Sequence, residues 1–237
     1  MEAEPAPGEA LLLAQDEKGN AAAAAAPSSV RFYVMAQFCV FTIVQSFAWA
    51  LPGCITLAYE DLYGASAETT VIWLLWGPLF FALSAVPFSY WLDLPGGLRG
   101  SMLFSILLVL LGCVLRSLAR DASLTSLALL HASFILNALA GPVSMGAVGK
   151  ISEDWFPASE RGTATAWASE ANPFGAAIAF ILAPAMTPVL DMAHVQRVNT
   201  LLLGVTALNF AACALYLPAH PPAKEPKHCI INDNAQP

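Results

Sequence analysis

Residues 153–175 read EDWFPASERGTATAWASEANPFG. Glu153, Asp154, Glu160 and Arg161 surround a Trp155-Phe156-Pro157 corner, and the chain then turns into Ala, Thr, Ser and Gly with one carboxylate, Glu170. This pattern marks a charged joint outside the bilayer, followed by a helix that packs closely, because small side chains let helix backbones approach each other in lipid. Composition agrees. The 237 residues are 57% hydrophobic and 11% charged, with a mean hydropathy of +0.63, whereas soluble domains carry about a quarter charged residues. A net charge of −7 without a basic stripe excludes a nucleic-acid partner. The cysteines at 39, 54, 113, 213 and 229 have neither metal-ligand nor disulfide-framework spacing, so no metal and no cofactor is expected.

Around the island lie six apolar segments, roughly 32–58, 70–92, 101–118, 126–149, 163–187 and 198–217. Each is near the ~20 residues that a helix needs to cross ~30 Å of hydrocarbon. The sequence therefore predicts an all-α, multi-pass membrane protein. Residues 1–30 read as a disordered cytoplasmic tail, 31–217 as a six-helix transmembrane bundle, and 218–237 as a cytoplasmic polar tail or the start of a central loop. Lys18, Arg31, Arg99, Lys150, Arg161, Lys224 and Lys227 fall on one side, Arg116, Arg120 and Arg197 on the other. The richer side is expected to be cytoplasmic, with both termini. Breaks at Pro52-Gly53, Gly77-Pro78, Pro87, Gly141-Pro142, Pro173 and Pro184 suit helices bent around a cavity. Ala138-Pro142-Gly146 and Ala168-Asn172-Ala176 offer small-residue contact faces. No Gly-x-Ser-Gly and no His-Glu-x-x-His is present, and no enzyme activity is expected.

Several motifs carry a resemblance. Trp91-Leu92-Asp93 with Gly97-Leu98-Arg99, and Trp155-Phe156-Pro157 with Glu160-Arg161 and Thr163-Ala164-Thr165-Ala166, resemble the feline leukaemia virus subgroup C receptor-related family of the major facilitator superfamily. Leu136 to Pro142, with His131 six residues before Asn137, is similar to the lysosomal branch of disrupted in renal carcinoma protein 2. The resemblance covers about residues 31–220 and implies one half, the N-terminal one, of a twelve-helix fold. It departs at Leu94-Pro95-Gly96-Gly97, one residue longer than the family's joint and lacking its basic residues. It implies alternating-access transport of a small organic solute: a choline- or ethanolamine-like cation, haem or a B-vitamin. The implied partners are the lipid bilayer and a second six-helix half or a second copy, in the plasma membrane or the lysosomal membrane. The alternative is a non-transporting truncated membrane protein that associates with a full-length relative.

Polar groups at membrane depth are the candidate site, because they need partners or a cavity. Gln45, Trp49, Asn137 and Asn172 are assigned to substrate binding. Trp49 could hold a quaternary ammonium by cation–π contact, and its Ser46-Phe47-Ala48-Trp49 context resembles that of choline-moving members. Asp93, Arg99, Glu160, Arg161, Glu170 and His131 are assigned to coupling or gating, with Asp93, Glu160 and Arg161 expected to form one charge network. Glu170 reads either as a proton-coupling group or as a snorkelling carboxylate, and His131 either as a relay or as a hydrogen-bonded interfacial group. Trp73 and Trp76 read as interfacial belt residues, Trp76 with a possible reach to the cavity.

Overall fold

The structure, a computed structural model, describes residues 29–221. Most of the expected N-terminal tail, and the chain after residue 221 with Cys229, lie outside the described residues. The described residues form helices α1 (Val30–Cys54), α2 (Thr56–Tyr63), α3 (Ala67–Asp93), α4 (Gly97–Leu118), α5 (Leu124–Leu139), α6 (Gly141–Trp155), α7 (Arg161–Met186) and α8 (Met192–Leu215), with no strand among them.

These map onto six crossings, with two changes from expectation. The first apolar segment ends at Ile55, where the backbone leaves the helix and restarts as the short α2. There the Thr56 hydroxyl donates to the Pro52 carbonyl at 2.8 Å, satisfying one of the acceptors that a helix end leaves open. The fourth crossing is two helices joined at Ala140. Pro142 has no N–H to donate, so the helix ladder is interrupted there. Among the described residues, five stretches are long and apolar enough to span a membrane: α1, α3, α4, α5 with α6, and α8. The 26-residue α7 would reach about 39 Å at the helical rise, but Glu170, Asn172 and Pro173 dilute its hydropathy.

Packing accounts for α7 instead. Ala164, Ala168, Ala171, Gly175, Ala179 and Ala183 form its buried stripe, and its main neighbour is α1. A Cβ on Gly175 would collide with the Ile43 carbonyl oxygen and lie 2.8 Å from the Ile43 Cα. The backbones touch, and only glycine fits between them. Of the expected small-residue faces, Ala168 sits in this stripe, while Asn172 and Ala176 lie to one side of it, half-buried, and Gly146 meets nothing within 4 Å. Phe38, Phe41, Phe47 and Leu51 of α1 are buried at the centre of the core. Trp73 is not a belt residue. It is fully buried, edge-on to Tyr59 at 5.2 Å and stacked on Phe134 at 5.4 Å.

Candidate functional site

Where α1, α3, the α5–α6 junction and α7 converge, a cavity of about 340 Å³ opens on one face of the bundle. Its size lies within the range of small-molecule sites. Gln45, Ser46 and Trp49 come from α1, Gly77, Pro78 and Phe81 from α3, Ala138, Gly141 and Met145 from the junction, and Asn172 from α7. None of these side chains is charged.

Two aromatic rings shape the wall, and each is seated on a glycine. Trp49 lies across α3 so closely that a Cβ on Gly77 would overlap the indole nitrogen. Phe81 lies across Gly141, where a Cβ would come within 2.9 Å of its ring. Trp49 keeps 38% of its surface exposed, so an indole edge remains available to a ligand.

Behind the rings, α1 and α5 are clamped reciprocally. Gln45 Nε2 donates to the Asn137 carbonyl at 3.3 Å, and Asn137 Nδ2 donates to the Gln45 carbonyl at 3.1 Å. Ser144 Oγ donates to Gln45 Oε1 at 3.1 Å. Gln45 thus lines the cavity with both ends of its amide engaged. Asn137, expected beside it as a ligand-binding residue, is 2% exposed and sits behind the wall, and its neighbour Ala138 takes the lining position. The structure therefore brings Gln45, Trp49 and Asn172 together and leaves Asn137 as the residue that positions Gln45. Gly77, Phe81 and Gly141 escaped the sequence reading. Gly77-Pro78 and Gly141-Pro142 were visible as breaks, but only the fold shows an aromatic ring on each glycine.

The coupling candidates are dispersed. Trp76 Nε1 donates to His131 Nδ1 at 3.0 Å, which ties α3 to α5 and takes both residues away from the cavity wall. Glu170 is exposed on α7 and has no ion pair among the described residues, and Lys150 pairs with Asp154 at 3.6 Å. The expected network of Asp93, Glu160 and Arg161 is corrected: Glu160 pairs with Arg31 at 3.0 Å. Arg161 instead donates from Nε to the Phe156 carbonyl and from Nη2 to the Glu153 carbonyl, both at 3.2 Å. A guanidinium there satisfies carbonyls at the end of α6. Arg31 also stacks on Phe32 and Phe156, with its Cζ at 4.6 and 5.4 Å from the ring centroids. Asp93 and Arg99 are exposed and without ion pairs among the described residues. The turn between them depends on Gly96, whose φ of 72° favours glycine, and on Gly97, where a Cβ would overlap the Trp91 carbonyl oxygen.

A model of the Major Facilitator Superfamily matches residues 33–228. Among curated proteins, the chain is 31% identical over 207 residues to the solute carrier family 49 member 4 homolog of Xenopus laevis, covering 81% of this chain and 45% of that protein. It is 33% identical over 199 residues to solute carrier family 49 member A3 of Danio rerio, covering 78% and 40%. It is 27% identical over 219 residues to the choline/ethanolamine transporter FLVCR1 of Felis catus, covering 87% and 38%. The chain thus spans about half the length of these relatives or less.

Proposed function

The chain belongs to the major facilitator superfamily, a family of transporters rather than enzymes, and from that premise we propose that it builds one wall of a pathway for a small organic solute. In this reading the bundle rocks against a second six-helix bundle, supplied by a longer native chain, a separate half or a second copy, and the solute is held between the two. The observation that carries the proposal is Trp49, half-exposed in an uncharged cavity and seated on Gly77. A partly desolvated indole attracts a weakly hydrated cation, and Gln45 and Asn172 bring amide groups to the same wall.

Among the candidate solutes this favours a choline- or ethanolamine-like cation, the class named for the Felis catus relative. Haem is less well served, because Met145 is the one side chain on this wall that could act as an axial ligand and no His, Cys or Tyr joins it. A B-vitamin stays as the alternative solute. Arg31 and Glu160 are proposed as the gating pair, since they join the start of α1 to the α6–α7 joint. The host membrane is proposed to be the plasma membrane or the lysosomal membrane. Uptake of labelled choline by cells expressing the chain with its second half tests the solute: Trp49→Ala should abolish saturable uptake at normal surface expression, and unchanged uptake would remove choline from the proposal.

A further inference from the structure

At the end of the bundle opposite the Arg31–Glu160 pair, α4 finishes beside the start of α8, and a cavity of about 620 Å³ opens between them. Arg120 and Arg197 line it together with Ser117, Gln196 and Thr200, and Met192 and Leu203 add apolar surface. No carboxylate lines it. Two guanidinium groups lining one cleft repel each other, and an anion between them would relieve that repulsion.

The acids nearest in sequence are engaged elsewhere. Asp121 accepts from Ser123 Oγ at 2.6 Å and from Ser126 Oγ, and these bonds hold its carboxyl below the usual carboxylate range. Asp191 accepts from the Ala193 amide at 3.3 Å as the cap of α8 and pairs with His194 at 3.7 Å. Neither arginine has an ion pair among the described residues. One turn before Arg120, Arg116 does not line the cleft and turns toward α5. It is 1% exposed, held by Ser133 Oγ at 3.2 Å and by the Phe134 ring at 4.6 Å, with Nη1 left unpartnered and no ion pair among the described residues.

The cleft is also built. Arg120 Nε donates to the Ser117 carbonyl at 3.2 Å, which aims the guanidinium and leaves its terminal nitrogens free. Gln196 Nε2 donates to the Ala119 carbonyl at 2.6 Å and to the Tyr63 hydroxyl at 3.4 Å, which fixes the wall between the arginines. Guanidinium groups match the oxygen geometry of phosphate, and with the Ser117 and Thr200 hydroxyls donating to the Cys113 and Gln196 carbonyls of their own helices, the two arginines supply the donors. We propose that this cleft binds a phosphate group, carried either by the headgroup of a phospholipid or by a small soluble phosphate ester. The lipid source fits the cleft's place at a helix end, level with the headgroups, where apolar Met192 and Leu203 can meet an acyl chain.

The test uses the full chain purified in detergent and stripped of phospholipid. Native mass spectrometry would follow titration with phosphatidylglycerol in one arm and glycerol phosphate in the other. The wild type should bind phosphatidylglycerol, and Arg120→Gln/Arg197→Gln should weaken that binding about tenfold or more, as expected for losing charge-assisted contacts. Lys150→Gln, at the other end of the bundle, should leave it unchanged. Arg197→Gln alone changes an exposed side chain and should give a partial loss even where the double variant folds poorly. Binding of glycerol phosphate with the same arginine dependence would support the site and assign the soluble source; binding of the lipid alone would assign the headgroup. Equal binding by wild type and both cleft variants, or no binding of either ligand, would overturn the proposal.

Discussion

Replacing Gly77 by valine puts branched bulk where the Trp49 indole nitrogen now lies. The ring has to leave its seat, so Gly77→Val should reduce choline uptake as Trp49→Ala does. Because both changes act on the same ring, the double variant should transport no worse than Trp49→Ala alone, the non-additivity expected of contacting residues; additive losses would separate the two. Asn137 and Asn172 should part in the opposite sense. Asn137→Ala removes the donor to the Gln45 carbonyl and should destabilise the bundle by about 1–2 kcal/mol, read as a lower melting temperature in detergent. Asn172→Ala should leave melting nearly unchanged and raise the KM for choline. At this scale the polar and aromatic types at membrane depth were legible, since lipid supplies them no partners. Which of them faces the cavity was not. Asn137 and Ala138 are adjacent, and only helix rotation against α1 decides which one lines the wall.

Five of the crossings were legible from apolar length, and the sixth, the close-packed helix after the charged island, from its small residues. The break at Ala140 was foreshadowed by Gly141-Pro142. The partner of Glu160 was not, because Arg31 lies 129 residues away in sequence and nothing local links them. Arg161, one residue on, looked equally suited, yet the turn at Ser159 and Glu160 directs it back to the carbonyls at the end of α6. Arg31 is nearly buried while Glu160 is half-exposed, so the pair should contribute about 1 kcal/mol, near the upper end for exposed pairs. Arg31→Ala and Glu160→Ala should each lower melting, and the double variant should fall short of their sum by about that amount; strict additivity would dissolve the pair. With the Arg31 end proposed as cytoplasmic, an impermeant thiol reagent applied to intact cells should label Asp121→Cys and spare Ser159→Cys, and the reverse pattern would invert the bundle.

The whole molecule presents one face on which a transport pathway can be half built. Along α3, Leu75, Leu79, Leu83 and Val86 are exposed, and on α7 so are Trp167, Phe174 and Ile181. These two helices flank the opening of the Trp49 cavity. In lipid such apolar exposure costs little, but the polar groups of the cavity wall need water, solute or a facing protein. The proposed function therefore turns on whether a second bundle closes that face. The direct measurement is uptake of labelled choline into proteoliposomes holding the purified chain at a dilution that keeps it monomeric, compared with the chain co-reconstituted with a second six-helix half. Saturable uptake only in the second preparation, lost on Trp49→Ala, is the expected result; saturable uptake by a demonstrated monomer would contradict it.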